Sequence, residues 1–203
     1  ERSLTDEQDE VVSAVLFAVR HRLEFAPAAT ALLTDPKRSQ SVRQSAAAAL
    51  ASMDSPLASV AFDLLAAQVT AKTPPLERMA AAEALGAAKL DSDQRRMLLE
   101  VVRESGPVEL PALIRAFEQT PIDDDLGTPL IEALRASRGL AALSSDRIAE
   151  VFADYPDSVK GLAKAGAAAT SGSQEERRQC AAHIESRLGS GDPELGKGVF
   201  FGT

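Results

Sequence analysis

The feature that most constrains this chain is an alanine-rich pattern that recurs with a period of 32 to 35 residues. One large apolar residue closes each copy: Phe17, Leu50, Leu85, Phe117, Phe152 and Ile184. Three positions earlier stand Ala14, Ala47, Ala82, Ile114, Ala149 and Ala181, of which all but one are alanine. A fixed period in this range is typical of stacked helix pairs, each of which buries its apolar face against the next. The pattern predicts an all-α fold, a right-handed α-solenoid of about six helix pairs.

The composition fits many thin layers better than one thick core. Hydrophobic residues make up 45% of the chain and charged residues 26%, which is ordinary for a globular protein. Aromatic residues are only 4%, and tryptophan is absent. The core must therefore be built from Leu, Val, Ile and many alanines, whose small side chains let helices approach closely.

The charge of the chain argues against two classes of partner. The net charge is −8, and no run of Lys and Arg is longer than two residues. A nucleic-acid partner normally requires a basic face, so we expect no nucleic-acid binding. No uncharged apolar segment approaches the length of about 18 residues that a membrane helix needs, so we expect no membrane insertion by this segment.

Helix starts and breaks are well marked along the chain. Thr5-x-x-Gln8 and Ser173-x-x-Glu176 match the capping box, and prolines after Ser55 and Thr73 suit first helical positions. The sequence Thr-Ser-Gly-Ser over 170–173 predicts a turn between two helices. The predicted helices are 6–24, 27–34, 39–53, 56–72, 75–88, 92–104, 108–118, 125–137, 145–153, 157–169 and 174–188.

Two segments resemble the second helix of HEAT-type repeats, namely 41–50 and 75–85. In that family an Arg near the helix start precedes an alanine-rich face that ends in Leu. Arg43, Arg78 and Arg177 each stand seven residues before their large apolar residue. The resemblance implies structural roles for Ala47, Ala82, Ala149, Arg43 and Arg78. The alanines are expected where helices cross, and each Arg is expected to bond a neighbouring repeat's carboxylate or helix-end carbonyls; the alternative is a basic binding ladder.

The last thirteen residues do not follow the repeat, so we divide the chain into 1–190, a HEAT-like repeat domain, and 191–203, the start of a downstream domain. Gly191-Asp192 and Gly196-Lys197-x-x-Phe200 resemble the opening helix of a class I c-type cytochrome. The resemblance implies that Gly196, Lys197 and Phe200 pack against the rest of such a domain. Haem c is then expected in the adjoining domain, and no cofactor or metal in this fragment.

Repeats that run into such a tail resemble large exported proteins of planctomycete-type bacteria, which join a dehydrogenase-like propeller, HEAT-like repeats and a haem domain. The resemblance implies a periplasmic or exported location, which the residues themselves do not establish. It also implies that any redox chemistry belongs to the whole protein.

No residue set predicts a catalytic or metal centre. Cys180 shares its repeat position mostly with apolar residues and is expected to be a buried, unreactive thiol. His183 is expected to be half-buried, and His21 lies in a different repeat, which excludes a shared metal site. The aspartates at 123–125 lack the spacing of a calcium loop and predict a solvated loop or the N-terminus of a helix.

Three functional hypotheses follow, from different classes. The chain is predicted to be a non-enzymatic scaffold or interaction module that positions neighbouring domains, among them a redox or cytochrome domain. The alternative is a free-standing HEAT adaptor that binds a protein or peptide. A further alternative is a HEAT-type enzyme, against which the missing basic groove and catalytic residues argue.

Overall fold

The computed structural model describes residues 6–118, 124–188 and Lys197, and regular structure in these residues is helical. The one β-type contact recorded there is an isolated bridge between Pro56 and Lys89. The predicted all-α class is therefore confirmed.

Ten α-helices follow one another in the described ranges. They are α1 (Asp6–Val19), α2 (Ala26–Thr34), α3 (Gln40–Ala51), α4 (Ser59–Ala66), α5 (Pro75–Ala87), α6 (Ser92–Glu104), α7 (Leu110–Leu113), α8 (Gly127–Ala136), α9 (Ser145–Val151) and α10 (Asp157–Leu188). Short 3-10 helices lie at Leu23–Phe25, Ile114–Phe117, Asp124–Leu126 and Leu140–Ala142. The segment Ile114–Phe117 directly continues α7.

Helix starts use side-chain caps at several places. Ser39 accepts a hydrogen bond from the backbone amide of Val42 at the start of α3. Asp91 and Gln94 form a reciprocal capping box at the start of α6. The first position of α5 is Pro75, and Pro74, predicted at that position, is the N-cap instead. The helix α4 begins at Ser59 rather than at the predicted residue 56.

The helices form two sets of neighbours. In the first set, which we call the odd layer, α1 contacts α3, α3 contacts α5, α5 contacts α7, and Ile114–Phe117 contacts α9. In the second set, the even layer, α4 contacts α6, α6 contacts α8, and α8 contacts α10. The two layers meet through pairs such as α3 with α4 and α4 with α5, and α2 packs on α3.

The helices α3 and α5 of the odd layer bury smaller side chains than the even-layer helices do. They bury mainly alanines, and Ala47 and Ala82 are both fully buried, as predicted. In the even layer α4, α6 and α8 bury larger side chains, such as Phe62, Leu98 and Leu130. The helices α3 and α5 can therefore approach each other closely, because alanine projects little from the helix surface.

One contact in the odd layer leaves no room even for a methyl group. Gly86 lies on α5 where this helix meets α7, and a Cβ atom built on it would stand 2.0 Å from the carbonyl oxygen of Ala112. Real Cβ atoms do not approach an oxygen so closely. Glycine is therefore required at this position by the distance between the two backbones.

The last helix differs from its prediction. Residues 157–188 form one continuous helix, so the turn predicted at 170–173 and the helix start predicted at Ser173 were wrong. Cys180, His183 and Ile184, predicted to face a neighbouring repeat, are exposed on this helix. The predictions of a buried thiol at Cys180 and a half-buried His183 were therefore also wrong.

Ala149 is exposed on α9, so the prediction of its burial was wrong. Within α9 the buried residues are Ile148 and Val151.

In the first copy of the repeat, the buried large residue lies one position before the predicted one. Phe17 is 65% exposed, whereas its neighbour Leu16 is buried. The helix α1 packs on α3, and this contact selects the face that carries Leu16. The other internal large apolar residues, at 50, 85, 117 and 152, are buried as the repeat predicts.

Replacing Ala82 with leucine is expected to lower the free energy of unfolding by about 1–3 kcal/mol. The reason is that the core around the fully buried Ala82 has no room for the additional carbon atoms of leucine. The matched control is Ala149→Leu, which places the same side chain on an exposed helix face and should change stability by less than about 0.5 kcal/mol. Urea denaturation of both variants measures the difference. Equal losses would contradict the observed packing of α5.

Candidate functional site

A cleft of about 430 Å³ crosses α1, α3, α5 and the 3-10 helix Ile114–Phe117 of the odd layer. We call it the odd-layer cleft. Twelve residues line it: Ser13, Phe17, Arg20, Ser45, Ala48, Ala49, Ser52, Ala80, Glu83, Ala84, Ala87 and Arg115. The cleft therefore extends over three successive helix contacts rather than lying within one repeat.

The floor of the cleft is made of alanines and serines. The hydroxyl groups of Ser13 and Ser45 are 3.0 Å apart and join α1 to α3. Beside the floor, the ring atom Nδ1 of His21 lies 3.1 Å from the carbonyl oxygen of Ser52. These short side chains keep the cleft open and leave hydroxyl groups on its wall.

One end of the cleft carries an exposed aromatic ring and a cation. The guanidinium carbon of Arg20 lies 3.7 Å from the centre of the Phe17 ring, which is cation–π geometry. Arg20 also donates a 2.6 Å hydrogen bond to the carbonyl oxygen of Phe17. The aromatic face thus holds the Arg20 side chain in place at the surface.

The other end of the cleft carries a second cation, Arg115. Its Nε donates to the carbonyl oxygen of Ala112 at 3.3 Å, and its Nη2 lies 3.5 Å from the carbonyl oxygen of Glu83. Glu83 is the one acidic residue among the described residues that line the cleft. The charged groups of the cleft are therefore two guanidinium groups and one carboxylate.

Neither Arg20 nor Arg115 has a carboxylate partner among the residues that the structure describes. Other arginines do: Arg38 pairs with Asp35 at 3.2 Å, and Arg96 with Asp93 at 3.5 Å. The chain has 30 acidic and 22 basic residues, so acidic groups are in excess. Arg20 and Arg115 bond carbonyl oxygens, as Arg43 and Arg135 do elsewhere in the described residues. What distinguishes Arg20 and Arg115 is that both line the same cleft.

Beyond the cleft, Arg147 of α9 is neutralised by the protein itself. It pairs with Glu118 at 2.5 Å and with Glu150 at 3.0 Å. Burial lowers the pKa of Arg147, but the hydrogen bonds and charges of Glu150 and Glu118 outweigh it and raise the pKa overall. Arg147 is thus satisfied within the fold, in contrast to Arg20 and Arg115.

The predicted arginines Arg43 and Arg78 bond other elements of the fold. Arg43 Nε donates to the carbonyl oxygen of Leu33 near the end of α2, at 2.9 Å. Arg78 pairs with the carboxylate of Glu109, whose side chain is only 3% exposed. Glu109 also accepts a 3.0 Å hydrogen bond from the amide of Gly106. Both arginines thus make the kind of bond predicted for them, and neither lines the odd-layer cleft.

The other predicted residues contribute no site in the described ranges. Lys197 is helical and exposed, while Gly196 and Phe200 lie outside the described residues. No group of three or more His, Cys, Asp or Glu side chains in residues 6–118 and 124–188 is placed to hold a metal ion. Across the same ranges, none of the helices combines the length and apolar character required to span a membrane.

The sequence-based interpretation missed the residues that give the cleft its chemistry, Phe17, Arg20 and Arg115. The signal available was an aromatic residue and an Arg three positions apart on α1, a spacing that brings side chains together on a helix. Arg115 gave no comparable signal, because its role depends on the contact between α5 and the segment that follows α7.

No protein-family model matches the chain, and neither a curated protein nor a solved structure matches it.

Proposed function

We propose that the chain is a non-enzymatic helical-repeat scaffold, a right-handed solenoid of about six HEAT-like helix pairs that positions neighbouring domains or partners. The observation that carries this proposal is a set of contacts between residues 31 or 32 positions apart. These pairs are Ser13–Ser45, His21–Ser52, Leu57–Lys89, Arg78–Glu109, Glu83–Arg115 and Ser105–Ser137.

The separation of these pairs is close to the sequence period, so equivalent parts of successive units touch. Such contacts are expected when each repeat packs only on its neighbours. The hydroxyl pair Ser105–Ser137 is buried, and Ser137 Oγ also donates to the carbonyl oxygen of Ser105 at 2.9 Å. A stack of this kind offers a long surface and requires no catalytic group, which supports the role of a scaffold.

Deleting residues 51–85, one full period, is expected to leave a folded and cooperative array. The deletion joins Leu50 to Gly86, so the start of α3 continues into the end of α5, and Arg43 takes the place of Arg78 beside Glu109. The contact of Gly86 with α7 is kept as well. Circular dichroism should show the same helicity per residue and a single thermal transition.

The matched control removes residues 54–71, which deletes α4 alone and leaves the faces of α3 and α5 that it covered without a partner. This variant is expected to lose its cooperative transition. If both deletions unfold the protein, the repeat unit proposed here is wrong.

We also propose that the scaffold serves a redox protein with a c-type cytochrome domain. The support is the resemblance of Gly196-Lys197-x-x-Phe200 and the preceding Gly191-Asp192 to the opening of that domain. The proposal requires Cys-x-x-Cys-His shortly after Thr203 in the gene, because that motif attaches haem. A gene without it would remove the cytochrome from the proposal and leave the scaffold unaffected.

A second candidate function, a peptide-binding adaptor, is favoured by the odd-layer cleft. The cleft crosses three helix contacts and carries an exposed aromatic ring and two arginines that have no carboxylate partner among the described residues. Exposed aromatic residues and arginines are enriched where proteins bind partners. The adaptor and the scaffold are compatible, since one array can hold a peptide on one layer and join domains at its ends.

A further inference from the structure

We infer that the odd-layer cleft binds an extended acidic peptide segment of a partner protein, with carboxylates held by Arg20 at one end and Arg115 at the other. This inference rests on the proposed interaction module and names the partner class for its cleft. The expected ligand of the cleft is an acidic peptide, and neither a small carboxylate nor a basic ligand.

The charge of the ligand follows from the two guanidinium groups. A guanidinium presents several donors in a planar fork that matches a carboxylate, and such hydrogen bonds are strong. Arg20 and Arg115 direct donors to carbonyl oxygens and have no carboxylate partner among the described residues. Glu83 lies beside Arg115, so the cleft lining carries two guanidinium groups and one carboxylate, an excess of one positive charge. The acidic groups of the ligand belong beside the two guanidinium groups, which stand at the two ends of the cleft.

The length of the ligand follows from the number of helices crossed. Neighbouring helix axes lie about 8–10 Å apart. The Arg115 guanidinium reaches back to the carbonyl oxygen of Glu83 on α5, so the path from α1 across α3 to α5 covers about 16–20 Å. An extended chain advances about 3.3 Å per residue, so about five or six residues lie between the two guanidinium groups. A small dicarboxylate is too short to reach both arginines.

The walls between the arginines suit a polypeptide. The Phe17 ring offers an apolar face, and Ala80 and Ala87 expose methyl groups along α5. The hydroxyl groups of Ser13 and Ser45 can bond peptide carbonyls or amides. The middle of the bound segment is therefore expected to carry small, uncharged side chains.

The test uses the full chain and three fluorescein-labelled nine-residue peptides, measured by fluorescence anisotropy at low and high salt. The acidic probe is Glu-Glu-Ala-Ser-Ala-Ser-Ala-Glu-Glu, with its carboxylates at the two ends. The neutral probe replaces each Glu with Gln, and the basic probe replaces each Glu with Lys. We expect the acidic probe to bind and the other two to bind at least about tenfold more weakly. Binding should weaken as salt rises, because these ion pairs are at the surface.

Substitutions then locate the binding. Arg20→Gln and Arg115→Gln should each raise the Kd of the acidic probe by about tenfold, since each removes one charge-assisted contact. Ala80→Glu, at an exposed position in the cleft, should raise it by a similar factor through repulsion. Arg96→Gln on α6 is the matched control, with the same change of charge outside the cleft, and should leave the Kd unchanged.

Several results would overturn the inference: no binding of the acidic probe, tighter binding of the basic probe, or an equal effect of Arg96→Gln. Displacement of the acidic probe by an equal concentration of succinate would also overturn it, since the site would then take a small carboxylate. None of these results affects the period-deletion experiment. Failure of the acidic-peptide inference is thus distinguishable from failure of the proposed repeat scaffold.

Discussion

Replacing Gly86 with alanine is expected to lower the free energy of unfolding by about 3 kcal/mol or more, because the new Cβ cannot be accommodated without moving two helices. The nearest atom is the carbonyl oxygen of Ala112 at 2.0 Å, which is backbone and cannot rotate away. Urea denaturation monitored by circular dichroism measures the change. The loss should appear even though alanine is the better helix former.

The matched control for Gly86 is Gly161 in α10. A Cβ atom built on Gly161 meets nothing within 4 Å, and the residue is exposed. Gly161→Ala is therefore expected to stabilise the protein by up to about 1 kcal/mol through helix propensity. If the two substitutions have the same effect, the close approach of α5 and α7 does not exist in solution.

Replacing Arg78 with methionine is expected to cost about 2–4 kcal/mol. The substitution keeps most of the apolar stem but leaves the buried carboxylate of Glu109 without its cation. The remaining hydrogen bond from the amide of Gly106 compensates only in part. Because Arg78 is itself 21% exposed, water can reach the pair, and the loss should lie below that for a fully enclosed pair.

Two further variants separate the charge effect from simple loss of packing. Glu109→Gln in the Arg78→Met background removes the uncompensated charge and should recover part of the loss. Arg96→Met breaks an exposed pair with Asp93 and should cost less than about 1 kcal/mol. No recovery in the double variant would mean that Arg78 acts through packing alone.

The positions of most helices could be predicted from the sequence because their signals are local. Cap residues and prolines precede the helix starts, and the large apolar residues at 50, 85, 117 and 152 are buried as their period predicts. The predicted turn at 170–173 failed, although Gly172 and its serine neighbours favour a break. The alanines before residue 170 and the glutamates and arginines after residue 173 favour helix. The helix therefore continues through residues 170–173.

The cleft was harder to predict, because its chemistry depends on contacts between repeats. The positions of Arg78 and Arg43 recur in the sequence, so their structural role could be inferred. Arg20 and Arg115 do not share a position in the repeat, and only the packing of α1, α3 and α5 brings them to one cleft. The sequence period identifies residues that occur at the same position in several repeats, whereas the charged residues of the cleft occupy positions that differ between repeats.

The difference in buried side-chain size between α3 and α5 and the even-layer helices has a mechanical consequence for the proposed solenoid. The helices α3 and α5 bury mainly alanines, whereas α4, α6 and α8 bury residues such as Phe62, Leu98 and Leu130. In the proposed solenoid, this difference would make the stack narrower on the side of the cleft and bend it toward that side. A ligand lying across several of these helices would resist changes in this bend. Occupancy of the cleft is therefore expected to stiffen the proposed array and fix the angle between whatever is attached at its two ends.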